Sequence, residues 1–152
     1  MSTSTLYTTE AISTGDGRNG HVRITDATDA TDGAGGGIFE ADLAVPKEMG
    51  GPGGEKTNPE QLFAAGYAAC FHNGLRLIAA EQKTPVGNST VTAEVSLLAV
   101  EDGRFSLAVG LTAHLPGLDQ ATADQLIQAT HKVCPYSNAT RGNIVVALKA
   151  TV

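Results

Sequence analysis

The sequence predicts an α+β fold, and three observations carry that prediction. The apolar patterning runs strand, strand, strand, long helix, hairpin, helix, strand, with no alternating βα repeat. No glycine fingerprint of a dinucleotide-binding turn follows any strand. One stretch, TNPEQLFAAGYAACF at 57–71, is apolar on every side and reads as a buried central helix. At 152 residues with 41% hydrophobic content, the chain suits a single domain with a sizeable core.

Residues 5–13 and 21–25 have strand character, and 15–20, GDGRNG, is the glycine-rich turn between them with Arg18 at its tip. An arginine in such a turn is usually a solvated charge. Residues 26–37, DATDATDGAGGG, are of low complexity. Their aspartates recur every third residue, whereas a calcium loop places them every second residue and closes on a glutamate. The segment is expected to be a flexible hairpin extension rather than a metal site. Strand character resumes over 38–45, and a glycine-rich loop over 46–56 leads into the central helix.

That helix has a start signal. Asn58 suits the N-cap, Pro59 suits the first helical position, and Gln61 can complete a capping box. The apolar run of 15 residues contains Gly66 and is too short to span a membrane. The helix should continue through Leu75 and Ile78 and end near Lys83, before Thr84-Pro85. Residues 90–100 and 105–115 alternate as strands around an Asp102-Gly103 turn. Asp119 caps a second helix bearing Ala123, Leu126, Ile127, Thr130 and Val133 on one side, which Cys134-Pro135 ends. Residues 144–152 form a last apolar strand.

A net charge of −6 supplies no basic field, so no nucleic-acid partner is expected, and no apolar run calls for a membrane. The N-terminal MSTSTLYTTEAIS lacks the charged and apolar regions of a secretory signal, so a cytoplasmic, reducing location is expected. There, a cysteine pair is more often catalytic or redox-sensing than structural. Cys70 and Cys134 are 64 residues apart, one inside the first helix and one at the end of the second. A lone buried cysteine is usually inert core. The second cysteine raises the weight of redox chemistry. There is no CxxC, and His21, His72, His114 and His131 show no ligand spacing, so no metal is expected. No G-x-S-x-G elbow supports serine hydrolysis. Redox work needs a thiolate and therefore a nearby cation; Arg18, Arg76 and Arg141 are the candidates. A disulfide-switched sensor and a small-molecule binding module with inert thiols are the competing classes. Repeated peroxide consumption with a dithiol separates them from an enzyme.

TNPEQLFAAGYAACF together with CPYSNATRGN resembles the organic hydroperoxide resistance branch of the OsmC/Ohr family. The resemblance covers nearly the whole chain, except residues 26–37, which look longer than the matching hairpin. It implies an OsmC-like fold in which antiparallel sheets enclose long central helices in an intertwined homodimer. It also implies a thiol-dependent peroxidase that needs no bound cofactor and is reduced by a dithiol, the dihydrolipoyl group of a lipoylated protein. By the resemblance, Cys70 is the peroxidatic cysteine and Cys134 the resolving one. Arg18 is the catalytic arginine, with Arg23 as its nearby competitor, and Glu60 holds that arginine. Apolar walls from residues such as Phe63 and Phe71 would favour alkyl or lipid hydroperoxides over hydrogen peroxide.

One geometric consequence bears on assembly. Glu60 and Cys70 are ten residues apart, roughly 15 Å along a continuous helix. For both to serve one arginine, either the helix breaks near Gly66 or the Arg18–Glu60 pair serving a given Cys70 comes from another chain. The apolar girdle over 62–71 favours the second, with shared sites in a homodimer.

Overall fold

The computed structural model describes residues 3–25 and 39–152. The expected hairpin extension at 26–37 lies outside the described residues. The chain divides into two compact units, Met1–Pro59 and Glu60–Val152.

In the first unit, β1 (Glu10–Thr14), β2 (His21–Thr25) and β3 (Phe39–Asp42) form an antiparallel sheet in that order. β1 is shorter than the sequence suggests, because its register closes at Glu10↔Thr25 and Leu6 and Tyr7 lie exposed ahead of it. The β1–β2 turn contains a single 3-10 turn, Gly17–Asn19, with Arg18 at its centre. Gly20 has to be glycine: a Cβ there would stand 2.1 Å from the Thr14 carbonyl oxygen. The turn is tied down on its far side, where the Val45 N–H donates to Asn19 Oδ1 at 3.0 Å and the Leu43 N–H donates to the Gly20 carbonyl at 2.9 Å. Next to it, His21 and Asp42 face each other across β2 and β3, with Nδ1 2.9 Å from Oδ1. That hydrogen bond is the main reason His21 titrates above the ordinary histidine range and Asp42 below the ordinary carboxylate range.

The second unit is built on α1 (Pro59–Glu81), which begins at the proline the sequence marks. It ends two residues before Lys83, a non-glycine residue in the left-handed region at φ 55°. The predicted hairpin is β4 (Thr90–Ala99) and β5 (Phe105–His114), with Gly103 at φ 79° in its turn. α2 (Gln120–Val133) starts from Asp119, whose carboxylate accepts from the Thr122 N–H at 3.0 Å and the Thr122 hydroxyl at 2.7 Å. Those two bonds hold the Asp119 carboxyl below its usual range.

Two features go beyond the sequence reading. The residues after Cys134 form a short helix, α3 (Pro135–Thr140), with Cys134 as its N-cap and Pro135 in its first turn. β6 (Val145–Thr151) pairs parallel to β5, so β5, the two helices and β6 make one crossover unit within a mixed sheet ordered β4–β5–β6. The connection from 115 to 144 is long enough to carry the chain back to the start of β5, which parallel pairing requires.

The inner face of this sheet (Val109, Leu111, Ala113, with Val91 and Val95 partly buried) packs against Tyr67, Phe71, Leu75 and Ala79 of α1 and Ala123, Leu126 and Ile127 of α2. Each fully buried Leu or Phe contributes about 1.5–3 kcal/mol by leaving water. α1 is not covered on all sides within the chain: Ala65, Ala69, Arg76 and Leu77 are exposed, Leu77 by 58%. Among the described residues, no helix is long and apolar enough to cross a membrane.

Candidate active site

The two cysteines meet. Cys70 lies in the fourth turn of α1 and Cys134 at the corner between α2 and α3, and their sulfurs are 3.6 Å apart. Both are thiols in this structure; Cys70 is partly exposed and Cys134 fully buried. Three local features create the meeting. The α2 helix carries Cys134 inward on the turn after buried Thr130, whose carbonyl accepts the Cys134 N–H at 3.0 Å. Pro135 cannot donate to α2 and so turns the chain into α3. Gly66, one turn before Cys70, leaves room for Tyr136: a Cβ there would stand 2.9 Å from the Tyr136 hydroxyl.

The Cys70 thiol titrates above its ordinary range. Burial is the main cause, the Tyr136 backbone N–H opposes it by bonding to the sulfur, and proximity to Cys134 adds to the rise. A raised thiol pKa means less thiolate at neutral pH, so this pair calls for a cation to make Cys70 nucleophilic. Two of the candidate cations are otherwise placed. Arg76 is exposed on α1, and Arg141 donates to the His131 carbonyl and to Asn138 Oδ1, securing the α2–α3 corner. Arg18 lies in the first unit, on the anchored turn described above. Glu60 is in the first turn of α1, where a carboxylate suits the helix dipole. α1 runs without a break through Gly66, so the less favoured of the two alternatives, an interrupted helix, does not occur. Glu60 and Cys70 therefore stand roughly 15 Å apart along one axis.

Sequence reasoning missed the polar residues around the pair. Tyr67, fully buried, has its hydroxyl 2.9 Å from Ser137 Oγ and 3.2 Å from Thr140 Oγ1, and His131 Nδ1 is 2.9 Å from the same Ser137 oxygen. Burial, and then the Arg141 charge, hold His131 below the ordinary histidine range. His72 bonds elsewhere, to Ser89 Oγ at 3.0 Å. Among the described residues, no group of three or more His, Cys, Asp or Glu side chains is placed to hold a metal ion.

A cavity of about 620 Å³ is lined by Phe63, Val100, Phe105, Leu107 and Ile144 and also by the polar side chains of Arg104, Ser106, Thr140 and Asn143. Phe63 is seven residues before Cys70, so both lie on nearly the same face of α1, roughly 10 Å apart along the axis. Between them the rings of Phe63, Tyr67 and Tyr136 pack at centroid distances of 5.6–6.0 Å. Phe71 is a core residue at 1% exposure, the role that an apolar ring on this helix most often has, and it does not line the cavity.

Residues 51–149 match the family model described as OsmC-like protein. The chain is 43% identical over 150 residues to an organic hydroperoxide resistance protein-like 2 of Staphylococcus epidermidis, covering 98% of each. It is also 43% identical to an organic hydroperoxide resistance protein of Xanthomonas axonopodis pv. citri, covering 94% of this chain and 93% of that one. Among solved structures it is similar to an organic hydroperoxide resistance protein OsmC of Legionella pneumophila (TM-score 0.86, 49% identity, 98% of this chain and 100% of that one). It is likewise similar to OhrB of Bacillus subtilis (TM-score 0.81, 39% identity, 97% and 100%).

The seat of Tyr136 over Gly66 is testable by urea unfolding. Gly66→Ala should stay within about 1 kcal/mol of the parent, because gained helix propensity offsets the push on a ring end that can swing. Gly66→Val should lose about 1–3 kcal/mol by overpacking. A valine variant as stable as the parent would show that the ring does not sit there.

Proposed function

The chain belongs to the OsmC/Ohr family, in its organic hydroperoxide resistance branch, and from that membership we propose that it is a thiol-dependent peroxidase that reduces organic hydroperoxides to alcohols. The observation that carries this reading is the pair of thiols 3.6 Å apart, one reachable and one buried. The Cys70 thiolate attacks the distal peroxide oxygen, the O–O bond breaks, and the alkoxide leaves as alcohol on taking a proton. Cys70 is left as a sulfenic acid. Cys134 attacks that sulfur, water departs, and the resulting disulfide protects Cys70 from further oxidation. An external dithiol, the dihydrolipoyl group of a lipoylated protein, returns both cysteines to thiols, so the chain itself needs no bound cofactor.

Arg18 supplies the cation that the Cys70 thiol requires and stabilises the developing alkoxide; Glu60 holds the guanidinium by a charge-assisted bond. The apolar side of the cavity, formed by Phe63, Val100, Phe105, Leu107 and Ile144, accepts the alkyl part of the substrate, which favours alkyl or lipid hydroperoxides over hydrogen peroxide. The continuous α1 supports the reading in which the Arg18–Glu60 pair serving a given Cys70 comes from a second copy of the chain. The apolar side chains that one chain leaves exposed on α1 support a homodimer with two shared sites. The setting is cytoplasmic, where thiols are kept reduced.

Cys70→Ser should abolish hydroperoxide consumption, and Cys134→Ser should allow a single oxidation of Cys70 without sustained dithiol-driven turnover. A coupled assay of hydroperoxide loss checks both; normal turnover by Cys70→Ser would remove Cys70 as the nucleophile. The shared site is checked by co-refolding inactive Cys70→Ser chains with inactive Arg18→Ala chains. Heterodimers should recover one working centre each. Verified heterodimers without activity would place each complete site in a single chain.

A further inference from the structure

The polar groups around Cys134 form a chain whose direction is fixed by counting hydrogens. Its links are His131 Nδ1 to Ser137 Oγ at 2.9 Å, Ser137 Oγ to the Tyr67 hydroxyl at 2.9 Å, Tyr67 to Thr140 Oγ1 at 3.2 Å, and Thr140 Oγ1 to the Tyr136 carbonyl at 2.9 Å. A carbonyl only accepts, so the last link uses the Thr140 hydrogen. The Tyr67–Thr140 link must then use the Tyr67 hydrogen, and the Tyr67–Ser137 link the Ser137 hydrogen. That leaves His131 to donate from Nδ1. Four links take four hydrogens, all in one direction. The chain holds whether or not Nε2 is protonated, since Nδ1 carries its hydrogen in both states.

These links join three elements at one point. Tyr67 belongs to α1, three residues before Cys70; His131 belongs to the last turn of α2, three residues before Cys134; Tyr136, Ser137 and Thr140 belong to α3. Tyr67 and Ser137 are fully buried and Thr140 nearly so, so each lost bond leaves a buried polar atom without its partner. Cys134 sits between His131 and Ser137, at the bend from one helix into the next, and its thiol meets the Cys70 thiol.

We propose that His131, Ser137 and Tyr67 form a positioning relay for the resolving thiol: they fix the α2–α3 corner on α1 so that Cys134 Sγ stays within closing distance of Cys70 Sγ. A disulfide needs the sulfurs about 2.05 Å apart, so closure from 3.6 Å is a small movement only while that corner is held. The inference rests on the reading of Cys70 and Cys134 as a redox pair. It assigns His131 a role through Nδ1 that neither a metal nor proton transfer to substrate would explain.

The test uses the full chain and no peroxide. The protein is equilibrated in buffers of glutathione and glutathione disulfide, quenched by alkylation, and the intramolecular disulfide is counted by mass. The exchange is balanced: two protein thiols and one glutathione disulfide give one protein disulfide and two glutathiones. The equilibrium reads the effective concentration of one thiol at the other. Ser137→Ala, His131→Ala and Tyr67→Phe should each lower it about tenfold, the effect of one buried partner lost. His131→Asn, whose amide N–H can stand where Nδ1–H stands, should restore most of it. Unchanged effective concentration in the three deletion variants, with thermal unfolding showing them folded, would overturn the relay. So would an asparagine variant as poor as the alanine one. A fall in effective concentration without any hydroperoxide consumption by the unaltered chain would sustain the relay and sink the peroxidase reading.

Discussion

Two sulfurs held 3.6 Å apart without a bond between them are the constraint on which the second unit depends. One sulfur has to ride on a helix stiff enough to fix it, and α1 does so because Tyr67, Phe71, Leu75 and Ala79 key it into the core shared with β5 and α2. The other has to stand at a bend, since a residue inside α2 would point along a fixed helical stripe. Pro135 makes the bend and Arg141 ties it, donating to the His131 carbonyl and to Asn138. The sheet contributes indirectly: parallel pairing of β6 with β5 draws the crossover tight and sets α2 and α3 against α1.

Electrostatics then divides the labour. Burial pushes the Cys70 thiol above its ordinary range, and the Tyr136 backbone N–H works against it. Such a pair is stable as two thiols and slow to react until a permanent cation is brought to it. The turn that carries Arg18 is anchored, with Asn19 and Gly20 each accepting from the segment just after β3, from the Val45 and Leu43 N–H groups. A guanidinium is a permanent cation with several donors, the kind of group that the proposed chemistry asks for.

Much of this was legible in the sequence because it is local. Asn58-Pro59, Asp119 and Asp102-Gly103 are short-range signals, and the elements they open or close stand where those signals put them. α3 was missed although its signal was present: Pro135 is as good a first helical residue as Pro59, but a six-residue helix has no apolar period to reveal it. The parallel partner of β5 and the role of Tyr67 were not legible. Both depend on contacts between residues tens of positions apart, and Tyr67 inside an apolar run reads as one more core ring. Gly66 shows the limit most plainly. In the sequence it weakens a helix; in the structure it is the space that Tyr136 occupies.

The central claim is that the thiol pair takes one oxygen from an organic hydroperoxide and ends as a disulfide. Its most direct test is a stoichiometric titration of the reduced protein with cumene hydroperoxide under anaerobic conditions, followed by mass spectrometry of the alkylated digest. The account predicts one alcohol formed for each pair of thiols lost, with Cys70 and Cys134 recovered in a single cross-linked peptide. Recovery of both cysteines as alkylated thiols with the hydroperoxide intact would contradict it.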